Sequence, residues 1–138
     1  MTVKVLLDSN FLFIPVQFKV DIFREMERLL VTRVKPILPS PVYEEVRSLA
    51  LGGSSKISRQ ATLALKLAER CEVLETDRRP EETVDDYILR VARSLGCVVA
   101  TADGELRKRL RAINIPVIYL RNKSYLAVDG GVPNNCSS

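Results

Sequence analysis

Four short runs constrain this chain most. Val3–Leu7, Val34–Leu38, Cys97–Ala100 and Pro116–Leu120 are rich in β-branched residues and mostly apolar along their length. Strands of that kind are buried on both faces, which is the signature of a parallel sheet. Helix-length segments separate them. Asp21–Leu30 carries Ile22, Met26, Leu29 and Leu30 on one face, and Ser40-Pro41 reads as an N-cap followed by proline at N1, opening a helix to about Leu51. Ile57–Glu69 is a further helix, Thr83 caps one that runs to Leu95 before Gly96, and Asp103–Ala112 is the last. Glu72–Glu75 and Ser124–Val128 read as brief additional strands. Alternation of this kind predicts an α/β fold, with a mostly parallel central sheet covered by helices on both faces. Ligands of such sheets gather at the carboxyl ends of the strands. The 138 residues suit one domain. We place it at residues 1–128, with 129–138 as a flexible C-terminal tail.

Several chemistries are excluded. The chain has no histidine, so a Ser-His-Asp triad, a histidine base and an imidazole-bound zinc site are all ruled out. Cys71, Cys97 and Cys136 form no CxxC pair, and their odd number argues for reduced thiols. No apolar stretch approaches the ~18–20 residues of a membrane span, and Met1–Leu7 lacks the layout of a secretory signal. A cytoplasmic protein is expected. Gly52-Gly53-Ser54-Ser55-Lys56 fails the spacing of a phosphate-binding loop and joins two helices, so it reads as a turn. What remains is chemistry by carboxylates, hydroxyls, amides and basic side chains, with an oxygen-ligated metal foremost.

The acids supply it. Asp8 closes the first strand, and Asp103 follows the strand Cys97–Ala100 at the equivalent place. Each could also serve as an ordinary turn or N-cap residue. Helix phase separates the acidic pairs at about 100° per residue. Glu45 falls on the flank of the stripe Val42, Val46, Leu49 and Ala50, whereas Glu44 points nearly opposite. Asp85 lies within the arc of Ile88, Leu89, Val91, Ala92 and Leu95, and Asp86 lies off it. An inward-facing carboxylate needs a partner. Four carboxylates cannot stay ionised in one cleft without a cation, because like charges raise each other's pKa. One or two Mg²⁺ or Mn²⁺ ions meet the need with oxygen ligands alone, and such ions activate water in phosphodiester cleavage.

Basic residues are concentrated beside them. Gly104–Lys123 holds six, including Arg107, Lys108 and Arg111, against the single acid Glu105, in a chain of net charge +4. On a helix Arg107 and Arg111 share a face, and Arg109 points away as a solvated residue. Acids within and bases on the rim suit a nuclease, with Arg107, Lys108 and Arg111 on the phosphate backbone of a nucleic acid.

Val5-Leu6-Leu7-Asp8-Ser9-Asn10-Phe11, Val42-Tyr43-Glu44-Glu45-Val46, Asp85-Asp86-Tyr87-Ile88 and Ala100-Thr101-Ala102-Asp103-Gly104-Glu105-Leu106, in this order, resemble the PIN-domain nucleases. The likeness runs from about Val3 to Tyr125. It is greatest to the branch that matures small-subunit ribosomal RNA, and VapC-type toxins share the same four acids. The resemblance implies a three-layer α/β/α fold and Mg²⁺- or Mn²⁺-dependent cleavage of single-stranded RNA (rRNA or tRNA). It makes Asp8, Glu45, Asp85 and Asp103 the catalytic metal ligands and Glu105 an outer ligand. Ser9 and Thr101 would orient ligands, and Asn10 would brace Asp8. It also implies an antitoxin or a pre-ribosomal protein as partner and, by analogy, a homodimer. Two other readings fare worse. A non-catalytic RNA-binding module of this type would lack a ligand acid, and none is missing. A phosphorylated receiver domain wants an acidic pair after the first strand and a lysine after the last, where this chain has Ser9-Asn10 and Arg121.

Overall fold

β1 (Thr2–Leu7) lies in the middle of a six-stranded sheet, with β2 (Arg33–Pro39) on one side and β4 (Val98–Ala100) on the other. The computed structural model describes residues 2–53 and 55–132. Beyond β2 lies β3 (Glu72–Leu74); beyond β4 lie β5 (Val117–Arg121) and β6 (Tyr125–Asp129), giving the order β3-β2-β1-β4-β5-β6. All pairings are parallel except β5–β6. That hairpin turns through Asn122 and Lys123, both at positive φ, and Ser124 N–H donates to the Arg121 carbonyl. Two left-handed central residues make a type I′ turn, whose twist matches that of the strands. Leu6, Leu7, Val98, Val99 and Ala100 are wholly buried, as strands covered on both faces require.

Two short helices, α1 (Ser9–Leu12) and α2 (Ile14–Phe18), follow β1, in a stretch where the sequence pattern marks no element. Both are too short to show a helical period, and their burial of Phe11, Leu12 and Ile14 holds them in place. α3 (Ile22–Leu30) is capped by the Asp21 carboxylate, which accepts from Arg24 N–H. α4 (Ser40–Ala50) and α5 (Lys56–Ala68) pack as a pair, as do α6 (Val84–Leu95) and α7 (Gly104–Ala112). The glycine-serine stretch is indeed the α4–α5 turn; the Ser55 hydroxyl caps α5 and buried Ser58 donates to the Ala50 carbonyl.

Three expectations need correction. Ser40 does not cap α4: it is the first helical residue, and its hydroxyl bridges the Thr76 backbone across 36 residues of chain. Leu49 and Leu95 sit at the exposed edge of their stripes. Tyr87, one turn before Val91, is fully buried instead, with its hydroxyl on Thr76. β6 also carries order through Asp129, and Val132 packs against the core. Of the expected tail, Pro133–Ser138 lie outside the described residues. Among the described residues no helix is long and apolar enough to cross a membrane.

Candidate active site

The chain leaves β1 toward β2 on one side and is joined by β4 on the other, so the carboxyl ends of β1 and β4 flank the crevice where strand order reverses. Asp8 and Thr101 stand at those two ends, and Asp8 N–H donates to the Ala100 carbonyl at 3.0 Å. Asp8 is buried, with only 5% exposure. One carboxylate oxygen, Oδ1, accepts from Ser9 N–H at 2.8 Å and so caps α1; Oδ2 accepts from the Thr101 hydroxyl at 2.8 Å. The N-cap reading of this aspartate is observed, and it leaves the carboxylate at the strand end.

Thr101 ties the two strand ends. Its hydroxyl proton goes to Asp8, and its oxygen accepts from Asp103 N–H at 3.1 Å. Asp103 Oδ1 in turn caps α7 through Glu105 N–H and Leu106 N–H. Asn10 braces the loop after β4: its Oδ1 accepts from Ala102 N–H at 2.9 Å.

Burial does not separate the helix acids, since Glu44 and Glu45 are both exposed and Asp85 and Asp86 both half-buried; their partners do. Glu44 pairs with Arg47 at 3.4 Å, and Asp86 pairs with Arg109. Glu45 and Asp85 have no hydrogen bond or ion pair among the described residues, and both interact electrostatically with Asp8. Burial is the main cause that raises the Asp8 pKa, against the Thr101 and Ser9 hydrogen bonds, and the Asp85 and Glu45 charges add to it. Burial likewise raises the pKa of Asp85, reinforced by Asp103, while Arg109 pulls the other way. The four acids named from the sequence thus share one field. Among the described residues no three carboxylate or thiol groups are drawn together closely enough to hold an ion as they stand. Like charges keep apart, yet the donor set is all oxygen, which suits a hard divalent cation.

The remaining predicted residues all lie on α7: its first turn carries Glu105 next to Asp103, while Arg111 in its last turn reaches Ile115 and Asp129, at the amino ends of the parallel strands. Glu105 is exposed and lies 3.7 Å from Lys108. Arg107 and Arg111 share Asp129, at 3.1 and 3.3 Å, and the Arg107 guanidinium stacks 3.6 Å over the Tyr119 ring. Gly130 lies so close to the Arg111 guanidinium that a Cβ there would collide with it. Arg109 is not a solvated bystander: it holds Asp86 and attracts Asp85. Periodicity within one helix could not reveal that role, nor that of Asp129, because both contacts join different elements.

A six-stranded, mostly parallel sheet covered by helices, with acids near its central switch point, defines an α/β fold class, and comparison narrows it. The PIN like domain family matches residues 5–123, and the chain belongs to that family. It is 32% identical over 130 residues to Ribonuclease VapC4 of Methanocaldococcus jannaschii, covering 94% of this chain and 98% of that protein. It is 30% identical to the rRNA-processing protein FCF1 of Saccharomyces cerevisiae, covering 89% of this chain and 62% of that one. Among solved structures, the PIN domain endonuclease Utp24 superposes with a TM-score of 0.77 at 28% identity, covering 94% of this chain and 92% of the other.

Proposed function

We propose that this chain is a divalent-cation-dependent endoribonuclease that cleaves single-stranded RNA in the maturation of ribosomal RNA. One observation carries the reading. In each acidic pair one member, Glu44 or Asp86, has its own arginine, while Glu45 and Asp85 form no ion pair among the described residues and interact with the charge of buried Asp8. Asp8, Glu45, Asp85 and Asp103 are the groups that would hold Mg²⁺ or Mn²⁺. Bound there, one or two such ions compensate the carboxylates and supply the Lewis acidity that phosphodiester hydrolysis needs.

The chain's own residues do the rest. Thr101 and Ser9 N–H fix both oxygens of Asp8, and the N-cap bonds pin Asp103, so two ligands are set before any ion arrives. Glu45 and Asp85, held by no hydrogen bond among the described residues, can turn inward. Arg107, Lys108 and Arg111 hold backbone phosphates, which position RNA without reading its bases. Glu105 and Lys108 are both exposed to solvent.

The likeness to the rRNA-processing protein FCF1 supports the ribosomal role; a pre-ribosomal protein as partner and a cytoplasmic setting are further parts of the proposal. The end-to-end match to Ribonuclease VapC4 supports a second reading, a toxin ribonuclease held by an antitoxin; a homodimer is proposed by analogy alone. Incubation with single-stranded and duplex RNA, in Mg²⁺, Mn²⁺ or chelator, tests the activity. Cleavage of single strands that the chelator abolishes is expected; no cleavage in either metal, or full cleavage in chelator, refutes it. Mapped cuts confined to ribosomal precursors favour the first role. Cuts in transfer RNA, with a small antitoxin frame adjacent to the gene, favour the second.

A further inference from the structure

A cleft of about 340 Å³ opens between α1–α2 and α4–α5. That volume falls within the range of small-ligand sites, roughly 300–1,000 Å³. Its walls are Phe13, Phe18, Leu49 and Ile57, and it reaches Glu45 of the acidic site directly. Leu49 and Ile57 are 40% and 49% exposed, so apolar surface is presented to solvent at its mouth. Two amides, Asn10 and Gln17, supply the polar groups.

The orientation of Asn10 is fixed by chemistry. Ala102 N–H can only donate, so the atom facing it at 2.9 Å is the carboxamide oxygen. The Nδ2 donors therefore face the other way and have no partner among the described residues. They are not buried, since every fully buried side-chain nitrogen or oxygen described has a partner. A partly buried, oriented donor thus borders an apolar cleft beside the acids.

We propose that this cleft is a base-binding subsite, which seats one unstacked nucleobase next to the phosphodiester held at the acids. The inference rests on the nuclease reading above and names where that substrate's base goes. No lysine or arginine lines the cleft among the described residues, so its walls do not suit a phosphate. A flat aromatic group with hydrogen-bonding edges matches two phenylalanines, two aliphatic walls and an amide. Stacking of that kind tolerates different bases and favours unpaired strands, because a paired base is not free to enter.

The test is affinity of the full chain for short single-stranded RNAs, in Ca²⁺ to suppress turnover, with one abasic nucleotide moved stepwise along the strand. Wild type is expected to lose about tenfold or more in affinity when the abasic site occupies one particular position. Leu49→Ser/Ile57→Ser, at two solvent-facing positions, should bind intact RNA more weakly by a similar factor and no longer sense the missing base. Uniform wild-type affinity along the abasic series overturns the proposal, and so does an undiminished base effect in the folded double variant. If affinity is uniform and the double variant instead changes self-association in sedimentation, the cleft is an interface between chains. Should the double variant fail to fold, the wild-type abasic series decides alone. Uniform binding with intact cleavage refutes the subsite and leaves the nuclease standing; neither binding nor cleavage refutes both.

Discussion

Thr101→Val keeps the shape of a fully buried side chain and deletes one oxygen, so its cost can be worked from the bonds that oxygen makes. The hydroxyl donates to Asp8 Oδ2 at 2.8 Å and accepts from Asp103 N–H at 3.1 Å. A bond to a charged group contributes roughly 1.5–3 kcal/mol and a neutral one roughly 0.5–1.5 kcal/mol, so the loss is about 2–4.5 kcal/mol. For 138 residues each kcal/mol shifts Tm by roughly 3–4 °C, which predicts a fall of roughly 6–18 °C. The loss depends on pH in a defined direction. The Thr101 bond favours ionised Asp8, so its removal raises that carboxyl's pKa further. The destabilisation is then full at neutral pH and smaller in acid, where Asp8 is protonated in both proteins. Urea unfolding at neutral and acidic pH, with Thr101→Ser as the control that keeps the hydroxyl, measures it. Equal stability of Thr101→Val and wild type, or a Thr101→Ser variant as weak as Thr101→Val, refutes the reasoning.

Three other outcomes are expected. Asp8→Asn should abolish RNA cleavage yet raise the Tm of the cation-free protein at neutral pH. Because the folded state holds the Asp8 proton to higher pH than the unfolded chain, wild-type stability falls as pH rises from the ordinary carboxylate range through the raised value; thermal melts across that window should lose this slope in Asp8→Asn. Glu45→Gln and Asp85→Asn should stop cleavage, while Glu44→Gln and Asp86→Asn keep most of it, as single-turnover rates will show. Neutralising Arg107, Lys108 and Arg111 together should weaken RNA binding across sequences and flatten its salt dependence by about 0.7 for each phosphate no longer neutralised, whereas Asp129→Ala, which frees Arg107 and Arg111, should strengthen binding at low salt.

The strands were legible, and the two acidic pairs could be told apart, because each is written in a local pattern. Burial on both faces makes Val3–Leu7 and Cys97–Ala100 apolar, and a helix period of 3.6 separates Asp85 from Asp86. What escaped lies between elements. Ser40 has the look of a cap, but its hydroxyl serves Thr76. Arg109 looks like a surface cation on α7 and in fact anchors Asp86 on α6. Asp129, placed in the tail by its polar neighbours, ends β6 and gathers two arginines. The helices Ser9–Leu12 and Ile14–Phe18 are defined by tertiary burial, too short for a period to show. The apolar cleft they help to form was equally invisible, since its walls come from α1, α2, α4 and α5 together with their neighbouring turns.

The central claim is that Asp8, Glu45, Asp85 and Asp103 act as one cation site. Mn²⁺ uptake, read from the loss of the free ion's paramagnetic resonance signal, tests it without reference to catalysis. Wild type should take up one or two ions per chain, and Asp8→Asn/Asp85→Asn should take up none while remaining folded. Equal uptake by the two proteins, or none by wild type at millimolar Mn²⁺, would contradict it.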